Sequence, residues 1–89
     1  MLFLLTNRIR PDLSPAQYAE LAGLAKAFYA SMPPDVKIRG EWAAIDRSCN
    51  YSLLEAPGIE TVRRIQAPFD PFTDTQIVAV TAITGWVDS

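Results

Sequence analysis

Residues 36–56 read Val36-Lys37-Ile38-Arg39-Gly40-Glu41-Trp42-Ala43-Ala44-Ile45, then Asp46-Arg47-Ser48-Cys49, then Asn50-Tyr51-Ser52-Leu53-Leu54-Glu55-Ala56. In the first run Val36, Ile38, Gly40, Trp42 and Ala44 alternate with Lys37, Arg39, Glu41 and Ala43. A period of two places them on opposite faces of a strand over 36–45, one face carrying the charges. Asp46-Arg47-Ser48 is turn chemistry, and 50–56 alternates again, with Asn50, Ser52 and Leu54 against Tyr51, Leu53 and Glu55. Two strands joined by a short polar connection predict a β-hairpin.

The flanks of this hairpin are helical. On its N-terminal side, Ser14-Pro15-Ala16-Gln17 is a helix start: Ser14 caps, Pro15 suits the first turn and Gln17 completes a capping box. Tyr18, Leu21, Ala22, Ala25, Phe28, Tyr29 and Met32 recur at spacings of three and four, so 15–32 is a helix with one apolar stripe, stopped by Pro33-Pro34. On its C-terminal side, Pro57-Gly58 breaks the strand, and Ile59, Val62 and Ile65 or Gln66 give a short helix over 59–67 its buried edge. Residues 67–72, with Pro68 and Pro71, predict irregular chain.

At the two ends of the sequence lie strands apolar on both faces. In 2–9, Leu2, Leu4, Thr6 and Arg8 oppose Phe3, Leu5, Asn7 and Ile9; in 75–84, Ile77 and Ala79 oppose Val78 and Val80. The order is β-α-β-β-α-β, an α+β, ferredoxin-like arrangement in which a four-stranded antiparallel sheet carries two helices on one face. Residues 1–89 read as a single domain. In such a sheet the face away from the helices should be polar if it meets water. Here, whichever set of side chains meets the helices, the other is also apolar. A homodimer packed through that face is therefore expected, with no second gene product required.

Composition narrows the function. The chain has 89 residues, no histidine, one cysteine and a formal charge of −2. Without histidine there is no imidazole acid–base chemistry, no Ser-His-Asp triad and no histidine-ligated haem or metal. No metal or other cofactor is expected, because no Asp/Glu run has the spacing of a cation-binding loop. The absence of a basic surplus argues against nucleic acid and anionic lipid. A lone Cys49 predicts a reducing, cytoplasmic setting. Met1-Leu2-Phe3-Leu4-Leu5 has no preceding basic residue and stops at Thr6-Asn7-Arg8, so no signal segment or membrane span is predicted.

Several residues are candidates for chemistry. Cys49 has no histidine to activate it and reads as an inert thiol. Glu41 and Glu55, on adjacent strands, read either as a carboxylate pair or as partners of Lys37 and Arg39. Arg8, Arg10, Arg63 and Arg64 read as a solvated charged face. Trp42, beside the small Gly40 and Ala44, suggests a gap next to a large ring. Asn7, Asn50 and Ser52 are polar residues among apolar neighbours, the make-up of a ligand cavity. The expected ligand-binding set is Asn7, Tyr18, Trp42 and Asn50, with Asn7 and Asn50 orienting polar atoms and Tyr18 and Trp42 as walls. No catalytic residue is assigned.

Met1-Leu2-Phe3-Leu4-Leu5, the segment from Pro33 to Trp42 and Leu53-Leu54-Glu55-Ala56 together resemble the dimeric α+β barrel superfamily, within it an uncharacterised group of about this length. The resemblance implies a barrel of two sheets with helices outside. Superfamily members include muconolactone isomerases, cofactor-independent monooxygenases of polyketide-like aromatics, haem-degrading enzymes and stress-response proteins. Asn50-x-Ser52 and the segment Pro68 to Phe72 are similar to the isomerases, whose helix-one glutamate falls at Ala25. Asn, Trp and Tyr side chains around an apolar cavity are similar to the monooxygenases. The implied function is binding, or cofactor-free conversion, of a small apolar or aromatic metabolite that is lactone-, quinone- or polyketide-like. The alternatives are a non-catalytic stress-response or binding domain whose dimer is the functional unit, and a module that binds a partner at its sheet edge.

Overall fold

The computed structural model describes residues 1–83. The chain runs β1 (Leu2–Ile9), α1 (Pro15–Ala30), β2 (Lys37–Ala43), β3 (Asn50–Glu55), α2 (Ile59–Gln66), a single 3-10 turn (Ala67–Phe69) and β4 (Thr73–Val80). The four strands form one antiparallel sheet in the order β2-β3-β1-β4. This is the ferredoxin-like arrangement that the hairpin and its flanking helices predict.

Register fixes which residues share a face. Across β3, β1 and β4, Leu54, Phe3 and Ala79 lie in one row, Ser52, Leu5 and Ile77 in the next, and Asn50, Asn7 and Thr75 in the third. These rows face the helices. Phe3 is 1% exposed and Val62 of α2 is 0% exposed; with Leu5, Leu54, Val36 and Ala56 they form the core. The core is thus sealed by α2 at one end of the sheet. By contrast, α1 carries no buried residue. It starts from the capping box, with the Ser14 hydroxyl accepting from the Gln17 amide at 3.2 Å and the Gln17 side chain accepting from the Ser14 amide at 2.7 Å.

The opposite face carries Leu2, Leu4 and Thr6 of β1, Tyr51 and Leu53 of β3 and Gln76, Val78 and Val80 of β4. Val78 is 54% exposed there.

Four details differ from the expectation. α1 ends at Ala30 rather than 32, because the Ser31 amide and hydroxyl both turn back to the Ala27 carbonyl, at 3.0 and 2.7 Å, just before Pro33-Pro34. Residues 67–69 are a 3-10 turn rather than irregular chain; Pro68 sits in its first positions, where no amide donor is needed. β4 begins at Thr73, two residues early, and ends at Val80; residue 84 of the expected strand lies outside the described residues.

The fourth difference is the most consequential. In β2, Ile38 pairs with Leu54 and Gly40 with Leu53, so Arg39 is an extra residue and a β-bulge. The unbroken alternation over 36–45 is therefore cut at Arg39, and the strand itself is shorter than expected, running Lys37–Ala43. Ile38 faces the helices, whereas Gly40 and Trp42 face the other way, and Glu41, opposite Ser52, turns inward.

Candidate functional site

Because α2 alone seals the core, the space under α1 is not filled. A half-open cavity of about 640 Å³ lies there. Its roof is the apolar stripe of α1, with Tyr18, Leu21, Ala22, Ala25, Phe28 and Tyr29 all in the lining. Its floor is the helix-facing side of the sheet. Asn50 and Asn7 sit there as partners on β3 and β1, in a row that continues to Thr75 of β4 beyond the lining, and Glu41 and Ser52 lie in the adjacent row.

Asn7, Tyr18, Trp42 and Asn50 all line this cavity. Asn7 and Asn50 are direct partners across β1 and β3. Asn7 is further tied to Thr75, whose hydroxyl lies 2.8 Å from the Asn7 Oδ1, and Thr75 is contacted by the buried Gln66 amide nitrogen at 2.9 Å. Gln66 also reaches Thr73, whose hydroxyl donates to the Phe69 carbonyl at 3.2 Å. This polar network fixes one end of the floor, and buried polar groups require such partners. Trp42 stands in the lining at the β2 edge, as expected, but the gap expected beside its ring is closed. A Cβ added at Gly40 would lie 2.8 Å from Trp42 Cζ2, so the indole lies over Gly40 and occupies that gap itself. Beneath α1 the lining includes the small side chains of Ala22 and Ala25.

The pair that sequence reasoning missed is Tyr29 and Glu41. The Tyr29 hydroxyl donates to the Glu41 carboxylate, with its oxygen 2.6 Å from Oε2 and 2.8 Å from Oε1, linking α1 to β2 at the cavity. This bond, together with partial burial and the adjacent negative charge, pushes the Tyr29 phenol up to about 12. Glu41 and Glu55 do not form a carboxylate pair. Glu55 accepts from Arg39 at 2.8 Å, and that guanidinium holds its carboxyl below the usual carboxylate range. The two acids lie several residues apart along the strands, since Glu55 sits opposite Lys37 and Glu41 opposite Ser52; the Arg39 bulge sets which face Glu41 takes, and period-two alternation carries no sign of it.

The other candidates lie outside the cavity lining. Cys49 is buried in the hairpin turn, in which Arg47 has a positive φ of 61°. Arg10 pairs with Asp74 at 3.4 Å and Arg63 with Glu60 at 3.7 Å. Among the described residues no helix is long and apolar enough to cross a membrane.

An α+β sheet with one helix sealing the core and the other roofing a half-open cavity defines the class: a ferredoxin-like domain with a ligand-sized space under α1. The chain belongs to the DUF3303 family, described as a domain of unknown function, whose model matches residues 1–88. No curated protein matches it in sequence. Among solved structures it is similar to SCO4226 from Streptomyces coelicolor A3(2), at 21% identity and a TM-score of 0.53 over 92% of this chain and 100% of that one. It is also similar to a muconolactone isomerase, at 22% identity and a TM-score of 0.60 over 92% and 90% of the two chains. Rv0793 from Mycobacterium tuberculosis matches at 12% identity and a TM-score of 0.47 over 91% and 95%. At such identities the likeness speaks for the fold alone.

Proposed function

We propose that this chain is a homodimeric small-molecule-binding protein that takes one small, flat, largely apolar or aromatic metabolite between α1 and the sheet. The observation that carries this reading is the cavity of about 640 Å³. It has the size and make-up of a ligand site, an apolar lining with a few convergent polar groups. Asn7 and Asn50 orient the ligand's polar atoms from the floor. Tyr18 walls it from the roof, and Trp42 bounds it at the β2 edge.

The dimer forms through the opposite sheet face. Leu2, Leu4, Leu53, Val78 and Val80 lie there together and would otherwise meet water. Burying such surface is worth ~25 cal/mol per Å² before the costs of association. A reducing cytoplasm suits the single free Cys49. Lactones, quinones and polyketide-like aromatics are the compound classes to try first, the lactones on the likeness to a muconolactone isomerase.

A thermal-shift screen with these classes, followed by turnover assays on the hits, tests the reading. The expected result is a dose-dependent stabilisation that Asn7→Ala or Asn50→Ala weakens at least severalfold. Absence of any shift across all three classes would contradict it.

A further inference from the structure

We infer that the Tyr29–Glu41 pair determines the specificity of the cavity: it seats an uncharged hydroxyl donor carried by an apolar ligand and turns away carboxylates. This rests on the reading that the cavity takes a small apolar ligand, and goes beyond it by naming the group the ligand must carry.

The argument is one of proton counting and charge. A phenol has one proton and a carboxylate has none. The Tyr29 proton is already engaged by Glu41, whose two oxygens stand 2.6 and 2.8 Å from the phenol oxygen. Toward the cavity the pair therefore presents only lone pairs: those of the Tyr29 oxygen and the remaining ones of the carboxylate. Whatever meets it must donate. The Tyr29 phenol itself shows the fit, since it is an aromatic hydroxyl seated on this carboxylate. With the phenol pushed up to about 12, Tyr29 keeps its proton at neutral pH and stays a donor to Glu41.

The rest of the lining does not offset that charge. Among the described residues lining the cavity there is no lysine or arginine, and Glu41 is the one acidic side chain. Arg39, next in the chain but one, is engaged by Glu55. Asn7, Asn50 and Ser52 both donate and accept, so they do not discriminate between ligand charges. A carboxylate ligand thus meets a like charge and an acceptor with no compensating cation. A neutral hydroxyl meets a charge-assisted acceptor.

Isothermal titration at neutral pH with three probes of one shape tests this: 2-naphthol, 2-naphthoate and 2-methoxynaphthalene. The wild type is expected to bind 2-naphthol about tenfold more tightly than either of the others, since one lacks the donor and the other carries the wrong charge. In Glu41→Gln the preference for naphthol over naphthoate should fall to about twofold, the like charge being gone. Glu55→Gln, which removes a carboxylate from the opposite face, should leave the preference intact. Equal binding of naphthol and its methyl ether, or a naphthol-to-naphthoate ratio that Glu41→Gln does not change, would overturn the inference while leaving the cavity reading in place. Failure of all three probes to bind at millimolar concentration would overturn the cavity reading and the inference with it.

Discussion

Tyr29 shows how one contact gives a residue a measurable signature. Its hydroxyl donates to Glu41, and its phenol is raised from 10.0 to about 12. The fold therefore favours the protonated phenol. A group raised in the folded state contributes stability that is fully present below its unfolded value and is lost as pH rises through the folded one. For Tyr29 that loss falls between pH 10 and about pH 12. Ultraviolet titration of the phenolates should show one step centred near pH 12 that is missing in Tyr29→Phe. A wild-type curve that superimposes on that of Tyr29→Phe plus one ordinary tyrosine would remove the Glu41 bond.

At the scale of the element, β2 is where sequence and structure part. Its existence, its pairing with β3 and the hairpin turn follow from alternation and from Asp46-Arg47-Ser48. The bulge does not, because one extra residue leaves hydrophobicity almost unchanged while reversing the side of everything after it. Asn7, Tyr18 and Asn50 were legible as cavity residues because each sits on an unbroken element, where period alone gives the face. Glu41 was not, since its face depends on Arg39, and its partner Tyr29 read as one more aromatic of the α1 stripe.

Gly40 gives the bulged strand a test. A Cβ there would press on the indole of Trp42. That ring is the far end of a side chain 56% exposed, so it can move away. Gly40→Ala should cost only about 1 kcal/mol in chemical denaturation, at the low end for overpacking. The same substitution should shift Trp42 fluorescence to the red in a Trp86→Phe background. An unchanged spectrum would mean that the indole does not lie on Gly40.

For the whole molecule, the two faces of the sheet divide the roles. One face supplies the core under α2 and the cavity under α1. The other collects Leu2, Leu4, Leu53, Val78 and Val80, with Tyr51 and Trp42 beside them. That both faces are apolar was plain in the sequence from the doubly apolar β1 and β4; which set turns outward needed the register. A chain of 89 residues leaves apolar surface over after folding, and a second copy can cover it about a two-fold axis. Val78, at 54% exposure, is the position at which a charge should harm assembly most and the monomer core least. Sedimentation equilibrium at tens of micromolar is the direct measurement. The native chain should sediment at twice its 9.8 kDa, and Val78→Asp should sediment at 9.8 kDa or fail to fold. A native chain that is well folded and sediments at 9.8 kDa would contradict the account.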